Sequence, residues 1–193
     1  RVLDEVTAII NLCVPKDHDL AGVTGALKNM AFGNIDRVPE FHQVIHEAIV
    51  WMYAQPEILG RTRLTICDAT RVLYEGGPQD QPRHRVPYDA MLISEDPVAI
   101  DWAVLDIVNA QRAEHGLQPV EHAPNVRGKP RPPDFLPLAV AGGLGQPLER
   151  LKWTRVFADG SVAPYHADFI DRAWSDRPPA DAGSRPGRRG PDR

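Results

Sequence analysis

The stretch Val6-Thr7-Ala8-Ile9-Ile10-Asn11-Leu12-Cys13-Val14, followed at once by Pro15-Lys16-Asp17-His18-Asp19-Leu20-Ala21-Gly22-Val23-Thr24-Gly25, decides the fold class. Its first half is an apolar, β-branched run, the pattern of a strand buried in a sheet. Its second half is polar and carries glycines, the pattern of a loop leaving a strand end. Residues 26–32 then predict a short helix stopped by Gly33. Further on, residues 39–53 place Phe41, Val44, Ile45, Ala48, Ile49 and Met52 on one helical face. Residues 64–67 predict a second strand ending at Asp68, and residues 90–93 a third, with a Pro/Gly-rich loop over 76–87 between them. Asp96 as N-cap, Pro97 at the first helical position and Gly116 as the stop predict a helix over 97–115. Residues 121–133 read as loop, 135–141 as a helical turn or short helix, and 151–157 as a last strand before a turn at Asp159-Gly160. Strands separated by helices predict one α/β domain with a mainly parallel or mixed sheet flanked by helices.

Composition narrows the partners. The chain has 193 residues, of which 42% are hydrophobic and 25% charged, enough for one domain with a sizeable core. A net charge of −4 and a pI near 6.0 argue against a nucleic-acid-binding surface. No apolar run reaches the roughly 18–20 residues of a membrane span. Two cysteines, Cys13 and Cys67, make neither a four-cysteine zinc site nor an iron–sulfur cluster, and in core strands they read as inert, buried side chains. The chain opens at Arg1 almost directly on a core strand, which predicts a domain incomplete at its N-terminus. Residues 1–174 are assigned to the domain, and 175–193, rich in Pro, Gly, Asp and Arg, to a disordered tail.

The chemistry-bearing positions gather at expected strand ends, where open α/β sheets bind ligands. After the first strand come Lys16, Asp17, His18, Thr24 and Lys28, with Gly22 and Gly25 offering backbone amides to an anion. The G-x-x-x-x-G-K-[ST] spacing of a nucleotide P-loop is absent. His18, with an ordinary pKa near 6.5, suits acid–base work, and Asp68 at the second strand's end would orient it or bind a metal. His42 and His46, four apart on the expected helix, share a face and are candidate metal ligands without an identifiable third; a partly buried, satisfied His42 is the plainer reading. Asp96 and Asp101 are both accounted for by helix-start chemistry.

Residues 10–18 (Ile-Asn-Leu-Cys-Val-Pro-Lys-Asp-His) and 22–29 (Gly-Val-Thr-Gly-Ala-Leu-Lys-Asn) resemble the core motif of the domain of unknown function 362 family. The resemblance continues in Phe41-His42, Ile66-Cys67-Asp68-Ala69, Gly76-Gly77-Pro78 and Asp96-Pro97-Val98-Ala99-Ile100-Asp101, so it spans about residues 6 to 145. Members usually carry a second lysine where this chain has Asp17. Many also carry a ferredoxin-like iron–sulfur segment, which this chain lacks. The resemblance implies an iron–sulfur or redox partner domain, and, with the N-terminus expected to be missing, leaves cytoplasmic and twin-arginine-exported locations both open. A shorter stretch, His18, Ala21-Gly22-Val23-Thr24-Gly25 and Lys28, is similar to a segment of the lactate racemase family. That similarity implies His18 as catalytic base, Lys28 as the lysine holding a nucleotide-like cofactor, and His42 or His46 as a metal ligand. The resulting expectation is an enzyme-like domain doing redox or proton/hydride transfer on a small organic acid. Its catalytic residues would be His18, Lys28 and Asp68, its cofactor contacts Lys16, Gly22, Thr24, Gly25, Lys28 and Asn29, and its cofactor a metal ion or nucleotide-like group. The alternative is a non-catalytic accessory or electron-transfer domain working with an iron–sulfur module outside this chain.

Overall fold

A computed structural model describes residues 2–165; the expected tail over 175–193, like the end of the expected domain, lies outside the described residues. The elements run α1 (Val2–Glu5), β1 (Ile9–Cys13), β2 (Lys16–His18), β3 (Gly22–Thr24), α2 (Ala26–Gly33), α3 (Val38–Phe41), α4 (Ile45–Tyr53), α5 (Pro56–Leu59), β4 (Thr62–Leu73), β5 (Arg85–Ser94), α6 (Pro97–Glu114), α7 (Phe135–Ala141), β6 (Trp153–Val156) and β7 (Val162–Tyr165). The fold is an α/β domain, and its main sheet is mixed. Long β4 is central: β1 runs parallel along its first half, β2 joins it in parallel at Lys16 opposite Leu73, and β5 pairs antiparallel on its other side. β2 and β3 form an antiparallel hairpin. Strands β6 and β7 make a separate two-stranded ribbon.

Three expected elements change shape. The loop over 15–25 contains the β2–β3 hairpin, because chain leaving β1 keeps following the edge of β4. The second strand extends well past Asp68, with Asp68 and Thr70 exposed at positions where a buried strand would carry apolar side chains. The single helix over 39–53 is broken: α3 ends at Phe41, a 3₁₀ turn spans His42–Val44, and α4 starts at Ile45. The helix over 97–115 forms as read. Asp96 accepts from the amides of Val98 (2.8 Å) and Ala99 (3.0 Å), and its other oxygen from Gln146 (2.7 Å).

The core lies on one face of the sheet. Cys13, Cys67 and Val72 are buried there with Leu27, Ile49, Val104, Leu105 and Phe135 from α2, α4, α6 and α7. Among the described residues, none covers the opposite face. Register places Ile10 beside Leu64, Leu12 beside Ile66, Ile66 beside Ile93 and Asp68 beside Met91. Of these, Met91, Ile10, Ile93 and Leu12 are 52–67% exposed, an apolar patch crossing three strands.

The candidate functional site

The hairpin sorts its side chains by the two-residue period of a strand. Asp17 turns one way, and Lys16 and His18 the other. Thr24 stands directly across from Lys16, and Gly22 across from His18.

Asp17 is fully buried in an ion network. Its Oδ1 lies 2.6 Å from Arg131 and 3.6 Å from Arg112, and its Oδ2 accepts from the Gly77 amide at 3.1 Å. Glu75 pairs with both arginines, closely with Arg112 and at 3.4 Å with Arg131. Arg112 also donates to the carbonyls of Gln118 (2.6 Å) and Tyr74 (3.0 Å). Burial raises the Asp17 pKa and Arg131 opposes that rise. Two carboxylates and two guanidiniums thus balance within one cluster, buried but for the half-buried Glu75, joining β2, the chain after β4, α6 and the segment before α7.

His18 is held by its own loop. Nδ1 accepts from the amides of Leu20 and Ala21, each at 3.1 Å. The ring proton of the neutral imidazole is therefore on Nε2, which is buried without a partner. Burial, then Lys28 and His42, push the His18 pKa from its expected 6.5 down to about 2. At neutral pH this imidazole is an uncharged donor. Thr24 Oγ1, on the same side of the hairpin, is likewise buried and unpartnered.

Lys28 on α2 sits 4.6 Å from the Phe32 ring centroid, and His42 packs its ring against the same Phe32 at 5.6 Å. Among the described residues no carboxylate pairs with Lys16 or Lys28. Burial first, and Lys16 second, lower the Lys28 pKa to about 8. A lysine so shifted binds its proton less tightly folded than unfolded. It therefore costs stability at pH 7, and that cost disappears as pH rises through 8 toward the ordinary value of 10.5. Lys28→Met is expected to raise the unfolding temperature at pH 7 by a few degrees, with the gain shrinking at pH 9.5; thermal melts at the two pH values check it.

A cleft of about 470 Å³ is lined by His18 and His42 together with Asp17, Glu75, Asn125 and Arg131 among others, whereas Lys16, Thr24 and Lys28 lie outside its lining. Asn125 belongs to a loop tied back to the hairpin, where the Val126 amide donates to Asp19 at 2.8 Å.

The remaining expected residues fall elsewhere. Gly25 brings the start of α2 against α6, where the amides of Ala26 and Leu27 (3.0 Å) donate to the Asp101 carboxylate. A Cβ at Gly25 would overlap Asp101 Oδ1. The helix start that resembles an anion cradle is thus filled by the protein's own carboxylate. A Cβ at Gly22, where φ is +80°, would crowd the Arg131 carbonyl oxygen at 2.6 Å, so this glycine admits neighbouring chain. Asn29 gives its amide to Asn11 (2.8 Å) and to the Leu12 carbonyl (2.9 Å), tying α2 to β1. Asp68 stands on the open face away from the strand end, outside the cleft lining, and accepts from the Thr70 amide at 2.9 Å. The 3₁₀ turn separates His42 from His46: His42 meets Phe32, while His46 stacks on Phe135 and accepts from its amide at 3.3 Å. Among the described residues no group of three or more His, Cys, Asp or Glu is placed to hold a metal.

Asp101 yields a second expectation. Burial raises its carboxyl to about 7 against the two amide donors that favour its ionised form. A raised carboxylate takes up its proton in the folded state first, so stability falls as pH rises from about 4 to 7. Asp101→Ala removes the acceptor for two buried amides and is expected to cost about 2–4 kcal/mol in urea unfolding, and to flatten that pH slope.

Sequence reasoning missed Glu75, Arg112 and Arg131. Glu75 had one signal, its place just before Gly76-Gly77-Pro78. The arginines lie 95 and 114 positions beyond Asp17 (112 − 17 and 131 − 17), with no local pattern to mark them.

The α/β fold and the hairpin-borne site accompany a family match. Residues 1–106 match the family described as domain of unknown function (DUF362), and the chain belongs to that family. The match takes in the hairpin, Lys28, His42, Asp68, Gly76-Gly77-Pro78 and Asp101; it ends before Arg112 and Arg131, short of the expected reach to about residue 145. The match begins at residue 1, so the chain's first residues belong to the family domain, and this contradicts the reading of location that rested on their absence. No curated protein and no solved structure matches the chain. Among the described residues no helix is long and apolar enough to cross a membrane.

Proposed function

We propose that this domain binds a small organic anion beside the β2–β3 hairpin and carries out proton transfer on it. The observation that carries the reading is the pair of buried, unpartnered polar atoms, His18 Nε2 and Thr24 Oγ1, on the side of the hairpin that bears Lys16 and adjoins Lys28. Buried polar atoms without partners are costly unless a ligand completes them. Two lysines without carboxylate partners give the ligand its sign.

Roles follow from the chemistry of each group. Lys16 and Thr24 bind the anion. His18 donates from Nε2 to a ligand oxygen, as an uncharged imidazole whose orientation the Leu20 and Ala21 amides hold. Lys28, brought to about 8, is the group that exchanges a proton near neutral pH. A carboxylate-bearing hydroxy or oxo acid suits two cations beside one neutral donor.

Isothermal titration with a panel of two- to four-carbon hydroxy and oxo acids and inorganic phosphate tests it. At least one acid should bind the native chain, and Lys28→Gln and Thr24→Val should each weaken that binding about tenfold, as expected for loss of one strong polar contact. If no member of the panel binds, or both variants bind like the parent, the reading fails.

A second reading, a domain that docks a redox partner, is favoured by the open sheet face with Ile10, Leu12, Met91 and Ile93.

A further inference from the structure

We propose that Cys13 and Cys67 form an oxidisable thiol pair that closes to a disulfide between the edge strand β1 and the central strand β4. Independent of the ligand reading, it rests on register, burial and strand position. Cys13 is the last residue of β1 and lies directly across from Cys67 in the parallel pairing. Neighbouring strands run about 4.7–4.9 Å apart, inside the span of Cα separations a disulfide bridges. Both side chains point to the helix-covered face, and both are free and buried. The two thiols interact, which with burial holds the Cys67 thiol far above its ordinary range. The chain has two cysteines, so neither has another intramolecular partner.

The two positions are not equivalent. β1 pairs with β4 alone among the described strands, and its neighbours Leu12 and Val14 are 67% and 47% exposed. Local opening of this edge uncovers Cys13 first, whereas Cys67 sits in the central strand at 0% exposure. Cys13 is thus the attacking thiol and Cys67 the resolving one. With a low-molecular-weight disulfide as oxidant, the Cys13 thiolate attacks one of its sulfurs, forming a mixed disulfide and releasing one small thiol. The deprotonated Cys67 then attacks the Cys13 sulfur and releases the second small thiol. Two protein thiols and one small disulfide become one protein disulfide and two small thiols. The small disulfide gains both electrons, and the thiol protons end on the released thiols.

The bond would close residues 13–67 into one covalent loop. That loop contains the β2–β3 hairpin, α2 and the 3₁₀ turn, and with them Lys16, His18, Lys28 and His42. Oxidation therefore ties the segment carrying these side chains at its entry and its exit.

The test treats the native full chain with graded oxidised glutathione, blocks remaining thiols with N-ethylmaleimide after denaturation, and measures intact and peptide masses. The expected result is loss of both maleimide additions, a peptide joining Cys13 to Cys67, and an unfolding temperature about 5–10 °C higher, reversed by dithiothreitol. Cys13→Ser should take up no glutathione at Cys67 under native conditions, while Cys67→Ser should stop at the mixed disulfide on Cys13. Two alkylated thiols after native treatment, a bridge that forms only in denaturant, or intermolecular dimers in place of the bridge would each overturn the proposal.

Discussion

Arg131→Met is expected to lower the unfolding free energy by about 3–5 kcal/mol at pH 7.5, the usual cost of leaving a buried charge without its partner. Asp17 is fully buried, Arg131 is its nearest cation at 2.6 Å, and Arg112 stands off at 3.6 Å while engaged by Glu75. Without Arg131, the Asp17 carboxylate keeps the burial penalty and loses the charge that opposes it, so its already raised pKa rises further. The folded variant then accepts a proton at a pH where the unfolded chain, near 3.8, does not. The deficit must therefore shrink as pH falls through the new folded value. Urea titrations at pH 5 and pH 7.5 measure both quantities. Adding Asp17→Asn to Arg131→Met should recover part of the loss at neutral pH, since the orphaned charge is gone. A deficit of equal size at both pH values would mean that packing, not charge, is what Arg131 supplies.

Gly77→Ala is expected to be as severe, above about 3 kcal/mol, for a steric reason. A Cβ there would overlap the Asp17 carbonyl oxygen and come within 2.7 Å of its carbonyl carbon. Both obstructing atoms are backbone, and the strand cannot retreat freely: the Gly77 amide binds Asp17 Oδ2 and the Gly77 carbonyl accepts from the Asp19 amide, each at 3.1 Å. Gly76→Ala is the informative comparison. Its added Cβ would meet the Gln81 side chain at 2.9 Å, which can swing aside, so the cost reduces to a non-glycine residue at φ +80°, about 1–2 kcal/mol. Denaturant midpoints for the two variants separate these cases, and equal losses would refute the backbone argument.

Elements whose signals are local were legible in the sequence. The helix over Pro97–Glu114 announced itself through Asp96 and Pro97, and α2 through the glycines on either side. Strand β4 was read at a third of its length because Asp68, Thr70 and Arg71 interrupt the apolar pattern; those side chains face solvent on an uncovered face, where the usual rule for buried strands does not apply. The hairpin was hidden because three-residue strands carry too little periodicity to register. Loop composition singles out Lys16, His18, Thr24 and Lys28 as candidates. The filling of the α2 start by Asp101 was not legible, since a carboxylate 75 positions away has no local mark. Spacing also misled at His42 and His46: four residues apart implies one helical face only where the helix is continuous, and a 3₁₀ turn intervenes.

The uncovered side of the main sheet has a thermal consequence. Water ordered over Ile10, Leu12, Met91 and Ile93 is released whenever that side meets another apolar surface, and near room temperature the gain is entropic. Self-association through it should strengthen on warming and in sulfate, fade in the cold, and show a negative heat-capacity change. Cold, low-salt handling is thus the condition that least favours such association.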